Sequence, residues 1–255
     1  MKSIKILFVA SAALLAVSCL DKQPQSAIPQ QQAMQTFDDA EQTVTGIYSL
    51  LKSGALYSGH LTILPDLQTD LVYAVDGYSN TYGNFWLWTI RSTTSEIESI
   101  YAALYQIIAN CNFYLDYIDR VVAATTDNTK LKDLDTYTGE VYAIRALAYS
   151  ELLKCYCKAY HPETAKQELG VVLRTTTLDK QPLPRASLYD SYQQVIRDLE
   201  RAEELLDEKN DAYSSAFVTR AMACALHARV ALYMEDWQTA IDYSTELIED
   251  RKSVV

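Results

Sequence analysis

The feature that most restricts what this chain can become is an apolar stripe recurring at the pitch of a helix. From Ser95 to about Asp119 its positions are Ile97, Ile100, Tyr101, Leu104, Ile107, Ile108, Cys111, Leu115 and Ile118, in steps of three, one or four. That spacing lines one face of an amphipathic helix and excludes a strand, whose side chains repeat every second residue. Ser95 with Glu98 predicts a capping box at its start, and Thr36 with Asp39 predicts another. The Thr36 box opens a helix buried through Ala40, Val44, Ile47, Tyr48 and Leu51. Asp38 and Asp39 fall in its first turn, where capping and the helix dipole account for them.

Three further segments share this periodicity. Glu140 to Tyr160 carries two stripes, one through Val141, Ile144, Ala148, Leu152 and Cys155, the other through Ala146, Tyr149, Leu153, Tyr156 and Tyr160. A helix apolar on two sides is sandwiched between neighbours. Ser187 with Asp190 opens the next helix, buried through Tyr192, Val195, Ile196, Leu199, Ala202 and Leu206 and solvated along Arg197, Arg201 and Glu204. Pro182 and Pro184 precede it, where they break no helical hydrogen bond. Tyr142, Tyr149 and Tyr192 read as core residues whose hydroxyls reach a partner.

The last pair says most about architecture. Alanines at 221, 223, 225, 228 and 231 line one helix; after a two-residue break capped by Asp236, Ala240, Ile241, Ser244, Leu247 and Ile248 line a second. Small residues allow close approach, and so short a turn makes the helices antiparallel. This resembles a tetratricopeptide hairpin, which buries its faces only when neighbours stack on it. The expected fold class is therefore mainly α: a right-handed stack of helical pairs, interrupted by a Gly-, Ser-, Asn- and Tyr-rich loop region between residues 54 and 94.

The N-terminus is of another kind. Lys2 and Lys5, an apolar run from Ile6 to Val17, and small residues Ala16, Val17 and Ser18 ahead of Cys19 make a secretion signal. The cysteine at the cut resembles a bacterial lipoprotein box, with Ala16 where Leu is usual and Leu15 one place earlier. The expected division is a signal peptide at 1–18, a lipidated Cys19 with a Gln-rich spacer to residue 35, and a helical domain over 36–255. Cleavage removes two lysines and no acid, so the mature surface is more acidic than the net −11 of the whole chain, which argues against nucleic acid as a partner. The four other cysteines, Cys111, Cys155, Cys157 and Cys224, lie in helical patterns without zinc-site spacing, and are expected as buried free thiols.

Signs of chemistry are sparse. Three histidines are scattered, no HExxH, GxSxG, GxGxxG or phosphate loop occurs, and seven glycines leave little room for a phosphate cradle. No catalytic residue, metal or cofactor is expected, although among 33 acids some carboxylate pair will always look suitable for glycoside hydrolysis. The aromatics are more informative. Among 19 tyrosines, the stretch YSNTYGNFWLW gathers Tyr78, Tyr82, Phe85, Trp86 and Trp88 beside Asn80 and Asn84. Aromatic faces flanked by amides suit a sugar, whose C–H groups stack on rings while its hydroxyls bond to amides. Tyr82, Trp86, Trp88, Asn80 and Asn84 are the candidate ligand residues; the competing reading makes Trp86 and Trp88 core of a short strand or of the start of a helix.

Several stretches together resemble one family, the SusD/RagB-like outer-membrane lipoproteins of Bacteroidetes. They are CLDKQP, TGIYSLL with Gly46 and Tyr48, and YAALYQIIANCNFYL with Tyr101, Tyr105, Ile108 and Asn112. GEVYAIRALAYSELLKCYCKAY follows, with Gly139, Glu140, Arg145, Ala146 and Tyr149, then LGVVL, LPRASLYDSYQQVIRDLERAEELL and ALHARVALYMEDWQTAI, all in the family's order. Tyr101 stands where Trp is usual and Val172 where Pro is usual. The resemblance implies a SusD-like helical fold and a surface-exposed lipoprotein of the outer membrane. Such a protein binds an oligosaccharide, polysaccharide or other nutrient and sits as a lid on a SusC-type TonB-dependent transporter. Family members continue past the last hairpin, so the chain is expected to represent a truncated form, with an exposed apolar face on that hairpin. The competing readings are a helical-repeat scaffold that binds a protein partner and a surface-anchored glycoside hydrolase.

Overall fold

Each predicted stripe becomes a helix in the computed structural model, which describes residues 32–69, 71–75, 81–206 and 215–252. The described residues form α1 (Phe37–Leu51), α2 (His60–Leu67), α3 (Gly83–Trp86), α4 (Ser95–Ala124), α5 (Asn128–Tyr156), α6 (Leu188–Leu205), α7 (Arg220–Tyr233) and α8 (Trp237–Lys252). Among them the only β-structure is one antiparallel bridge between Leu169 and Ser187. None of the described helices is long and apolar enough to cross a membrane. The mainly α fold class expected from the sequence is the one observed.

Helices α4 and α5, and likewise α7 and α8, run antiparallel, as pairs of cross-links along each demonstrate. Tyr114 meets Thr138 at 3.4 Å and the Tyr156 hydroxyl donates to the Ile97 carbonyl at 2.7 Å, pinning α4 along α5. Arg220 pairs with Glu246 at 3.0 Å, and His227 stacks on Tyr243 with ring centroids 4.2 Å apart, pinning α7 along α8. Small residues make that last approach possible: Ala221, Ala223, Ala228, Ala231 and Ala240 are all buried. Asp236 caps α8 as expected, accepting from the Thr239 N–H. The sandwiched helix is α5, which packs on α1, α4 and α6 and buries Val141, Ile144, Ala146, Ala148, Tyr149, Leu152 and Leu153.

Several local expectations need correction. The Thr36–Asp39 box forms in both directions, but Ser95 is the first residue of α4 rather than its cap. Its hydroxyl donates to Glu96, and the hydroxyl of the true cap, Thr94, accepts from the Arg91 N–H. Helix α5 starts at Asn128, twelve residues early, because Asp127 caps it and its first turns are polar and solvated. It ends at Tyr156; Tyr160 is buried from the following segment, edge-on to Tyr192. The 54–94 region is not loop throughout, since α2 buries Leu61, Leu64 and Leu67 despite Pro65, which reads in sequence as a stop. The four described cysteines form no disulfide with one another, and only Cys111 and Cys224 are buried, Cys155 being exposed near the end of α5. Ala225, Ile241, Ser244 and Ile248 are exposed rather than packed, because α8 rests mainly on α7. With Leu232, Tyr233 and Trp237 they give the last hairpin an exposed apolar face.

A polar network at the centre holds an extended strap, residues 171–177, across α4 and α5. The Arg145 guanidinium forks onto Asp198 of α6 at 2.8 and 2.6 Å and donates to Asn112 of α4 at 2.8 Å. Asn112 in turn donates to the Arg174 carbonyl at 2.6 Å. The Tyr149 hydroxyl accepts from the Arg174 N–H and donates to its carbonyl; Tyr105 does the same for Val172. Asp116 takes both the N–H and the hydroxyl of Thr177 at 2.6 Å. Val171 still pairs with the Ala186 backbone; from Val172 on, side chains satisfy the main chain in place of a partner strand, as buried peptide groups require. Val172 supplies an N–H that a proline at this position would lack. At the start of the strap Gly170 passes so close to α6 that an alanine methyl would lie 2.5 Å from the Ser187 carbonyl oxygen.

Burial pushes the Asp198 carboxyl upward, and the Arg145 fork opposes that push. Removing one member leaves the other charge buried without a counterion. Asp198→Ala is therefore expected to destabilise the chain by about 3–5 kcal/mol in urea denaturation followed by circular dichroism, while Glu200→Ala, on the exposed face of the same helix, changes stability by no more than about 0.5 kcal/mol.

Candidate ligand-binding site

The aromatic stretch folds into a tight turn around α3. Tyr82 and Trp88 bracket it, both with left-handed backbone at φ 63° and 56°. Side chains other than glycine seldom adopt this conformation, and the surrounding structure must hold it there. It does so through main-chain bonds: Phe85 and Trp86 N–H donate to the Tyr82 carbonyl, Leu87 to Gly83, Trp88 to Phe85 and Thr89 to Asn84. The anchor is Phe85, which is 1% exposed. The Tyr82 ring lies edge-on to His60 and Phe85, and His60 Nδ1 reaches the Ser99 hydroxyl at 3.1 Å, tying the turn to α2 and α4. Because Ser99 donates its own proton to the Glu96 carbonyl, it accepts from His60, and the pair is a structural bond rather than an activated nucleophile.

With Phe85 pointing inward, Trp86 and Trp88 point outward, 39% and 68% exposed. The core reading of the two tryptophans therefore does not hold: the buried residue of the stretch is Phe85. Tyr82 and Asn84 are half-buried. The structure thus brings Tyr82, Asn84, Trp86 and Trp88 into one turn, whereas Asn80 and Cys19 lie outside the described residues.

Beside the turn opens a cleft of about 390 Å³, within the range of small-ligand sites. Its apolar walls include Leu61 and Leu64 of α2, Phe85, Ile97 and Ile100 of α4, and Tyr156 and Tyr233; Gln68, Glu151, Lys154 and Cys155 supply polar atoms. Glu151 is buried but neutralised by Lys154 at 2.6 Å and Arg229 at 3.5 Å. The cleft was not foreseen from the sequence. The signal for it was the three-residue step from Leu61 to Leu64, masked by Pro65, together with the second stripe of α5 that carries Tyr156. Among the described residues no group of three His, Cys, Asp or Glu side chains could hold a metal ion. What the arrangement offers is stacking surface, an apolar recess and a few hydrogen-bonding groups.

Exposed rings contribute little to folding. Trp86→Ala and Trp88→Ala are expected to shift unfolding free energy by no more than about 0.5 kcal/mol, and Phe85→Ala to cost about 3–5 kcal/mol, in the same chemical-denaturation series.

A family model described as starch-binding and associating with the outer membrane, SusD-like, matches residues 19–232. A SusD-like protein of Formosa agariphila is 23% identical over 241 residues, covering 90% of this chain and 42% of that protein. Among solved structures, a SusD superfamily protein from Bacteroides vulgatus superimposes with a TM-score of 0.76 at 22% identity, over 87% of this chain and 48% of that one. A laminarin-binding SusD-like protein superimposes with a TM-score of 0.65 at 21% identity, over 84% and 44%. The chain spans less than half the length of each of these relatives. At these identities the solved structures speak for the fold, and the family match, running from Cys19 through α7, establishes that this chain belongs to the SusD-like family.

Proposed function

We propose that this chain is a surface lipoprotein that captures an oligosaccharide or polysaccharide and delivers it to a SusC-type TonB-dependent transporter in the outer membrane. The observation that carries the reading is the exposure of Trp86 and Trp88 on a turn held by its own main-chain bonds, beside a recess of about 390 Å³. Indole faces stack on the C–H faces of a sugar ring, and Asn84, Asn80 and Tyr82 supply hydrogen bonds to its hydroxyls. A turn fixed before the ligand arrives loses little conformational freedom on binding. The family's description as starch-binding and associating with the outer membrane supports the ligand class and the location, and a relative that binds laminarin supports a β-glucan as one candidate.

The mechanism is capture and hand-over, with no bond made or broken. Cys19, once acylated, tethers the domain; the several chains of a lipoprotein anchor hold it stably where one would not. The spacer up to residue 35 lifts the helical domain off the lipid.

Titration calorimetry of the chain with laminarin- and starch-derived oligosaccharides tests this reading. Saturable binding to at least one is expected, weakened roughly tenfold or more when Trp86 and Trp88 are both replaced by Ala. Unchanged affinity in the double variant removes these rings from the site. Shortening of the oligosaccharide on incubation supports a surface-anchored glycoside hydrolase instead, and a protein partner retained without sugar supports a scaffold.

A further inference from the structure

The recess beside the aromatic turn suits something other than a bare sugar ring. Its lining is largely hydrocarbon: Leu61, Leu64 and Pro65 on α2, Phe85 on α3, and Ile97 and Ile100 on α4. Several of the polar groups around it are already engaged. Glu151 is held by Lys154 at 2.6 Å and Arg229 at 3.5 Å, and the Tyr156 hydroxyl donates to the Ile97 carbonyl at 2.7 Å. That leaves the Gln68 amide, the Tyr233 hydroxyl and the remaining protons of Lys154 to meet a ligand.

A hexose carries hydroxyls around its edge, and each one taken from water without a partner costs free energy. Leucine, isoleucine and phenylalanine walls cannot match them, whereas the exposed indoles of the adjoining turn leave a sugar's hydroxyls facing water and amides. An acyl group has the opposite chemistry. Its single carbonyl oxygen can accept from the Gln68 amide, the Tyr233 hydroxyl or the Lys154 ammonium, and its alkyl tail gains by leaving water for a recess of about 390 Å³. Phe85 joins the two surfaces: its ring is a wall of the recess, and the next residue, Trp86, presents its indole outward.

Building on the glycan-capture reading, we propose that this recess holds an acyl substituent of the glycan, so that the chain selects acylated saccharides over bare ones of the same backbone. The indoles take the sugar, and the recess takes the tail.

Laminaritriose and maltotriose, each esterified singly with an acetyl, propanoyl or butanoyl group and separated into positional isomers, provide the test by titration calorimetry on the whole chain. For at least one isomer the affinity is expected to exceed that of the bare trisaccharide and to rise about fourfold with each added methylene. Cys155→Phe, which places a ring at the exposed rim of the recess, is expected to flatten that rise. A flat series for every isomer, no binding by any of them, or a rise that survives in Cys155→Phe overturns the inference. Should that variant fail to fold, NMR on the wild-type chain decides: NOEs from the butanoyl methyl to the Leu61 and Leu64 methyls uphold the recess, and NOEs elsewhere overturn it. The capture reading fails separately, since a series that climbs unchanged after both Trp86 and Trp88 are replaced by Ala upholds the recess and removes the aromatic turn from the site.

Discussion

The fork between Arg145 and Asp198 is the interaction on which the other elements depend. It links α5 to α6 directly and, through Asn112, links both to α4 and to the strap. Two charges out of water are costly to hold, and the geometry here is close to what makes them tolerable: a bidentate pair, with Gln194 giving Asp198 a further donor. A leucine pair would fill the same space but could not hand a hydrogen bond on to Asn112. The polar core therefore ties α4, α5 and α6 together at one level, and it holds the chain between α5 and α6 on its route.

That arrangement reaches the candidate site through ordinary packing. Tyr156, near the end of α5, bonds to the first turn of α4, and Ser99 in α4 receives His60 from α2. Phe85 then plugs the aromatic turn into the surface so prepared. The two tryptophans are exposed as a consequence, since a single-turn helix flanked by left-handed residues can point only some of its side chains inward. The same α5 carries Arg145 at its centre and Tyr156 at its end, so the strap and the cleft are set by the rotation of one helix.

Much of this was legible in the sequence because it is local. The Thr36–Asp39 box, the Ser187 cap and the stripes of α4, α6 and α7 depend on neighbours within a turn. The start of α5 was not, because residues 128–139 are mostly polar, and Leu131, Leu134 and Tyr137 are too few apolar side chains to stand out there. Nor was the strap: its bonds to Tyr105, Asn112 and Asp116 cross more than sixty residues. Asn112, Arg145 and Tyr149 drew attention as carriers of the family resemblance, and their role in holding the strap and its polar core supplies a physical reason for that pattern. At the site, composition singled out Trp86 and Trp88 but not their exposure, which Phe85 and two positive φ angles decide.

The measurement that bears most directly on the binding account uses the chain's three tryptophans as internal probes. Indole N–H resonances of Trp86, Trp88 and Trp237 would be followed during titration with laminarin- and starch-derived oligosaccharides. Trp237, exposed on the last hairpin, is the control. The account requires saturable shifts at Trp86 and Trp88 with Trp237 unmoved. Shifts at Trp237 alone, or none at any indole while ligand binds, would contradict it and place the ligand elsewhere on the molecule.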